Sequence, residues 1–262
     1  MLPTPMTMTM KAKLAAPGRL LNWQVCVIPS AVVTQAIAAA GADAVIIDQE
    51  HGPIGAETLH AMIAATQGTG CAPLVRIPEI DEAQVKRALD AGAEGICFPL
   101  IRSVADAERC VRAMRYPPAG RRGWGPFVAH SRWGVPLFDY LNGPGRETIC
   151  MLLIETVDAV AQIEAICAVD GIDCMIVAPF DLSTELGVHG QLDHPRMLEA
   201  VARIEAAAHA AGIPLGGVGF TKEASQRLLA KGYRLIGGFD LLWLKNAVTQ
   251  SRAWLTADGS AG

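Results

Sequence analysis

From Leu20 onward, short runs of consecutive apolar residues alternate with longer stretches in which apolar residues recur at helical spacing. A short, unbroken apolar run bounded by polar residues is the mark of a strand buried on both faces, as in a parallel sheet. Such runs lie at Trp23–Ile28, Asp43–Asp48, Ala72–Arg76 and Gly95–Pro99, then in C-M-L-L-I-E-T from Cys150 and D-C-M-I-V from Asp173. Two more lie at Ile213–Val218 and Arg234–Gly238. The segments between them read as helices. Ser30 and Asp81 are N-cap residues for two of them, and Gly41 is a C-cap signal. Further helices run to about Gln67, from about Ser103 to Arg115, from about Pro195 to Ala211, and from Asp240 to about Leu255.

Eight strand-like runs alternating with eight helix-like runs predict an α/β fold, a single (β/α)8 TIM barrel spanning residues 19–262. The length of 262 residues suits that architecture, which takes typically about 250. Residues 1–18, rich in Met and Thr, read as a flexible N-terminal tail with no apolar stretch of signal-peptide type. The rhythm breaks once, over residues 117–146, where Gly, Pro, Arg and aromatic residues crowd together without a period. A connection this long inside one domain is usually functional or disordered, and its aromatic and Arg content argues against disorder. Because it comes after strand 4, it is expected over the same mouth as the acids described below.

Composition narrows the partners. A net charge of −4, with adjacent basic residues only at Lys86-Arg87 and Arg121-Arg122, argues against a nucleic-acid partner. No apolar run is long enough to span a membrane. Seven cysteines, an odd number with no C-x-x-C pair, read as reduced, buried thiols in a cytoplasmic protein. The last helix carries Leu241, Leu242, Trp243, Leu244 and Trp254. That is more apolar surface than one barrel flank requires, so it is either a contact with another subunit or an ordinary amphipathic flank.

Candidate chemistry sits at the strand ends, the face where such barrels keep their active sites. Glu155 closes strand 5 and Asp181 follows strand 6. Two hard oxygen donors at one mouth suit a divalent cation such as Mg2+, with water and substrate oxygens completing its coordination. The alternative is that each acid only caps the helix that follows it. Asp48, Glu50 and His51 follow strand 2, and Arg76 ends strand 3. A metal-type acid pair, an imidazole and a guanidinium on one rim suit proton abstraction and carbon–carbon chemistry beside a carbonyl. No Lys stands at a strand end in a form that suggests a Schiff base; Lys222 and Lys245 fall within predicted helices. The glycine-rich segments Pro214–Lys222 and Ile236–Asp240 are candidate phosphate loops or simply tight turns. R-R-G-W-G is either an anion contact or a loop anchor.

At these residues the chain resembles the HpcH/HpaI family of class II pyruvate-dependent aldolases, over about residues 20–250. I-I-D-Q-E-H-G-P, V-R-I-P, R-Y-P-P-A-G-R-R-G-W-G, L-L-I-E-T and A-P-F-D-L-S are similar to the family's motifs. The resemblance implies an aldolase that cleaves and forms 4-hydroxy-2-oxo acids, giving pyruvate and an aldehyde. It implies Glu155 and Asp181 as ligands of Mg2+, Mn2+ or Co2+, His51 as general base and Arg76 as the transition-state stabiliser. Asp90 is implied as an aspartate that raises the basicity of the histidine from a neighbouring subunit. The backbone at Phe180-Asp181 is implied to hold the pyruvate carboxylate. The resemblance also implies a trimer or hexamer with exchanged C-terminal helices. Three positions depart from the family: Leu153 replaces a Gln that helps hold substrate, Gln49 a Gly, and Phe180 a small residue. They imply a pocket of different shape and polarity. Related alternatives are an oxaloacetate decarboxylase, a citrate-synthase-like or citryl-lyase-like enzyme, and a non-catalytic 2-oxo acid binding protein.

Overall fold

The computed structural model describes residues 8–255. Eight parallel strands close into one barrel in sequence order: β1 (Leu21–Cys26), β2 (Ala44–Asp48), β3 (Ala72–Arg76), β4 (Gly95–Phe98), β5 (Ile149–Ile154), β6 (Cys174–Val177), β7 (Leu215–Val218) and β8 (Leu235–Phe239). The helices are α1 (Met10–Ala15), α2 (Ala31–Ala39), α3 (Ala56–Ala64), α4 (Glu82–Asp90), α5 (Val104–Met114), α6 (Ala129–Arg132), α7 (Val157–Ala161), α8 (Ile163–Cys167), α9 (Pro179–Glu185), α10 (Pro195–Ala210), α11 (Lys222–Ala230) and α12 (Asp240–Ala253). The (β/α)8 expectation holds.

Strand alternation divides the core into two layers. Trp23, Ile46, Leu74, Met151, Leu153 and Ile176 fill the barrel, while Val45, Val75, Ile96, Leu152 and Ile154 face the surrounding helices. Glycine at Gly237 lets β8 approach β1, because a Cβ there would lie 2.0 Å from the Trp23 carbonyl oxygen. The glycines of β7 and β8 thus serve strand packing. Helix starts follow their caps: Ser30, Asp81, Ser103, Thr156 and Thr221 each accept a backbone N–H three residues on.

Two expectations need correction. First, the proposed flexible tail contains α1, which closes the N-terminal end of the barrel; residues 1–7 lie outside the described residues. Met10 and Leu14 join the barrel-filling cluster, worth roughly 2 kcal/mol each. The Lys13 Nζ donates to the Asp43 and Gly70 carbonyls and lies 3.1 Å from the Asp43 carboxylate. The sequence hid this because so short a helix has no readable period.

Second, residues 117–146 lie at the N-terminal face, away from the strand ends that carry the acids. They leave from the C-terminal end of α5, not from β4, and α5 has already carried the chain back across the barrel. Arg122 bonds Asp90 at the end of α4, and Arg132 bonds the Gly92 carbonyl and Thr66. The last helix, α12, turns only its first residue, Asp240, into the core and leaves Leu244 and Val248 more than half exposed. No helix among the described residues is long and apolar enough to cross a membrane.

Candidate active site

Asp48, the last residue of β2, organises one side of the C-terminal mouth. It is fully buried, and its Oδ1 accepts the N–H groups of Glu50 and His51 at 3.1 and 3.3 Å. The same carboxylate grips Arg76 at the end of β3, through Nε at 2.8 Å and through Nη2. β2 and β3 pair with Asp48 opposite Arg76, so the strand register alone brings the two together. A bidentate carboxylate–guanidinium pair is fixed in direction as well as in charge. Arg76 also lies 3.2 Å from Glu50 through Nη1. Burial opposes its charge, but the pair with Asp48, aided by Glu50, holds its pKa above the usual arginine value.

Glu155 follows β5 immediately and is only 2% exposed. Its Oε1 accepts the Leu100 N–H at 2.6 Å. Leu100 has a φ of 56°, in the left-handed region that leucine rarely occupies. Burial pushes the Glu155 carboxyl from 4.5 up to about 7; Asp181 and Glu50 add to the rise, while the Leu100 N–H opposes it. Glu50 is likewise raised by burial, with Asp48 and Asp181 contributing and Arg76 opposing. Asp181 acts on both Glu50 and Glu155, and Glu50 acts on Glu155, so the three carboxylates share one electrostatic neighbourhood. Asp181 lies in the first turn of α9, four residues beyond the end of β6.

His51 lies at the edge of this group. Its ring is 61% exposed, and Nε2 is 3.6 Å from Glu50 Oε2. Asp90 is elsewhere: it ends α4 at the opposite face, 2.7 Å from the Arg122 Nη2. Within one chain Asp90 therefore anchors the long N-terminal-face loop. Arg122 also lies over the Tyr116 ring at 4.6 Å, so R-R-G-W-G works here as an anchor. The phosphate-loop option for the β8 segment fares no better. Asp240 places its carboxylate on the Val27 and Ile28 N–H groups, where an anion would otherwise bind.

The other side of the mouth is apolar. Leu153 points into the barrel, and Val27, Ala178, Val218 and Phe239 pack over the same cluster. Above them Phe180, Phe220 and Phe239 form a row, with ring centroids 6.1 and 6.3 Å apart.

The family model described as HpcH/HpaI aldolase/citrate lyase matches residues 28–247, nearly the whole barrel. The chain belongs to this family. As a member it is an enzyme of the carbon–carbon lyase class, into which its named relatives fall. It is 34% identical to the hydroxypyruvate/pyruvate aldolase of Roseovarius nubinhibens, over 98% of this chain and all of that one. It is 35% identical to the 2-dehydro-3,6-dideoxy-6-sulfogluconate aldolase of Pseudomonas putida, over 78% of this chain and 80% of the relative. The crystal structure of a family protein from Burkholderia cenocepacia superposes with a TM-score of 0.88 at 31% identity, covering 95% of this chain and 99% of that one.

Three residues of the mouth, Leu100, Phe220 and Phe239, go unmarked in the sequence. Leu100 gives no signal there, because nothing in F-P-L-I-R-S marks a left-handed leucine. Glu50 was visible as a neighbour of His51, but its place among the carboxylates is a tertiary fact. Phe220 and Phe239 come from separate strand ends, and only the closed barrel puts them beside Phe180.

Proposed function

We propose that the protein is a divalent-metal-dependent aldolase that cleaves 4-hydroxy-2-oxo acids to pyruvate and an aldehyde, and forms them in reverse. The observation that carries this is the meeting of Glu155, Asp181 and Glu50 beside the Asp48–Arg76 pair at the C-terminal mouth. Burial, reinforced by the Asp181 and Glu50 carboxylates, pushes Glu155 up to about 7, and Arg76 offsets only part of the negative charge gathered there. The buried Glu50 Oε2 makes no hydrogen bond, although Arg76 lies near it. Hard oxygen donors in that state fit a divalent cation. Among the described residues no three His, Cys, Asp or Glu side chains form a ready-made cage. A two-carboxylate site for Mg2+, Mn2+ or Co2+ relies on water and substrate for its remaining ligands, as Mg2+ sites commonly do.

When held by Glu155 and Asp181, such a cation supplies Lewis acidity toward the carboxylate and 2-oxo oxygens of the substrate. The remaining work belongs to the chain. Arg76 keeps a fixed positive charge at the 2-oxo oxygen as negative charge develops there, and Asp48 sets its direction. His51 takes the proton from the C4 hydroxyl in cleavage and returns it in synthesis. Backbone N–H groups at Phe180 and Asp181, free in the first turn of α9, receive the substrate carboxylate. Asp90 acts on His51 only from another copy of the chain, since its own copy holds it at the far face. The largely uncovered α12 supports such an assembly, a trimer or hexamer with exchanged helices. The seven buried, free thiols support a cytoplasmic setting.

The test is pyruvate release from a panel of 4-hydroxy-2-oxo acids with and without added Mg2+ or Mn2+. Metal-dependent release abolished by chelator is expected. No release from any member, or release indifferent to chelator, refutes the proposal. Oxaloacetate and CoA thioesters belong in the same panel, because turnover restricted to them identifies a decarboxylase, or a citrate-synthase-like or citryl-lyase-like enzyme.

A further inference from the structure

The two sides of the mouth differ in kind. The acids, Arg76 and His51 come from the ends of β2, β3, β5 and from α9. The opposing side, above β6, β7 and β8, is made of Phe180, Phe220 and Phe239. Their rings are tilted 32° and 23° from one to the next, so they present a nearly continuous aromatic surface. Phe239 packs on the barrel-filling cluster and anchors the row at its inner end. Phe180 is 45% exposed at the outer end and adjoins Asp181 in sequence. Leu153 belongs to the same cluster, Ala178 and Val218 pack against it beside Phe239, and none of these side chains is polar. A substrate gripped at its 2-oxo acid end by the acid side meets hydrocarbon at its other end.

Resting on the aldolase reading, we propose that the acceptor aldehyde of this enzyme carries an aromatic or extended apolar substituent, which lies along the Phe180–Phe220–Phe239 row. The bond-making step itself is ordinary aldol addition. A C3 proton leaves pyruvate, the electron pair left behind forms the bond to the aldehyde carbon, and the aldehyde oxygen takes up a proton. No oxidant or second co-reactant enters. Stacked or edge-on contact with the rings favours an aryl group beyond its simple burial. A carboxylate or phosphate at the same place loses water and gains no partner from these rings. Lys222, in the first turn of α11, is the cation nearest to Phe220 in sequence, and an anionic acceptor would have to use it.

Three acceptors separate these cases, because they share the same carbonyl environment and differ only at the far carbon. Propanal carries hydrogen there, hydrocinnamaldehyde a phenyl ring, and succinic semialdehyde a carboxylate. Addition of pyruvate to each is measured with the full-length, metal-loaded protein. Hydrocinnamaldehyde is expected to exceed both others in kcat/KM by about tenfold. Phe220→Ala and Phe180→Ala are each expected to lower the hydrocinnamaldehyde-to-propanal ratio several-fold. Phe180→Leu, which keeps apolar volume on an exposed position, is expected to lower it less. A ratio near one in the wild type, a preference for succinic semialdehyde, or a ratio unmoved by both alanine variants overturns the inference. Exchange of the pyruvate methyl protons for deuterium, followed by NMR without acceptor, separates the two layers of argument. Exchange without aryl preference overturns the acceptor assignment alone, whereas no metal-dependent exchange overturns the aldolase reading and this assignment with it.

Discussion

Kept in chelator, this protein is expected to lose stability as pH rises, and Glu155 is the main cause. The folded chain raises the Glu155 carboxyl from 4.5 to about 7. Between those values the folded state holds a proton that the unfolded state has released. By linkage, stability then decreases with rising pH across that window and levels off above about 7. A difference of about 2.5 pH units at 1.36 kcal/mol each amounts to about 3 kcal/mol. That is a large share of the 5–15 kcal/mol roughly typical of a folded domain. Glu50, raised in the same direction, adds to the trend, whereas Asp43, lowered by the Asn22 N–H, Lys13 and Arg19, opposes it at lower pH. The wild-type curve alone therefore mixes several groups. The difference between wild type and Glu155→Gln isolates the one of interest, because glutamine keeps the acceptor for the Leu100 N–H and cannot titrate. Urea unfolding in chelator at half-unit steps from pH 4.5 to 8 supplies the measurement. The wild type is expected to lose about 3 kcal/mol relative to Glu155→Gln, and saturating Mg2+ to restore most of it. Parallel curves in chelator would refute the claim that Glu155 is buried among carboxylates that Arg76 only partly offsets.

Other perturbations test neighbouring parts of the structure. Asp48→Ala strands a buried Arg76 and is expected to cost about 3–5 kcal/mol in urea unfolding, more than the single contact is worth when both partners are replaced by apolar residues. Lys13→Ala removes the tie between α1 and the Asp43 and Gly70 carbonyls. It should cost about 1–3 kcal/mol and expose α1 to proteolysis at native temperature. Leu100→Gly suits the left-handed backbone and should leave the melting temperature nearly unchanged, whereas Leu100→Val should lower it by the equivalent of about 1–2 kcal/mol. A melting temperature indifferent to valine would mean that this backbone conformation carries no strain.

The barrel was legible because each strand had to be buried on both faces, which leaves continuous apolar runs such as Ala72–Arg76 and Cys174–Val177. Its acids were legible because Glu155 interrupts such a run at the strand end. What escaped depends on direction and distance. Residues 117–146 read as part of the mouth only if one forgets that α5 reverses the chain before they begin. Asp90 falls at a helix end on the far side for the same reason. α1 is too short to show periodicity, and its evidence is tertiary: a buried lysine on two carbonyls and Met10 filling the barrel. Leu100 is known only from its backbone angle. The phenylalanine row needs barrel closure, since Phe180, Phe220 and Phe239 are each isolated in sequence.

The most direct test of the central claim is calorimetric titration of Mn2+ into chelator-stripped wild type, Glu155→Gln, Asp181→Asn and the variant carrying both changes, with no substrate present. If the two carboxylates hold one cation together, the wild type binds one Mn2+ per chain. Each variant then binds at least about tenfold more weakly, and the double variant not measurably. Undiminished Mn2+ binding in either single variant would contradict the account.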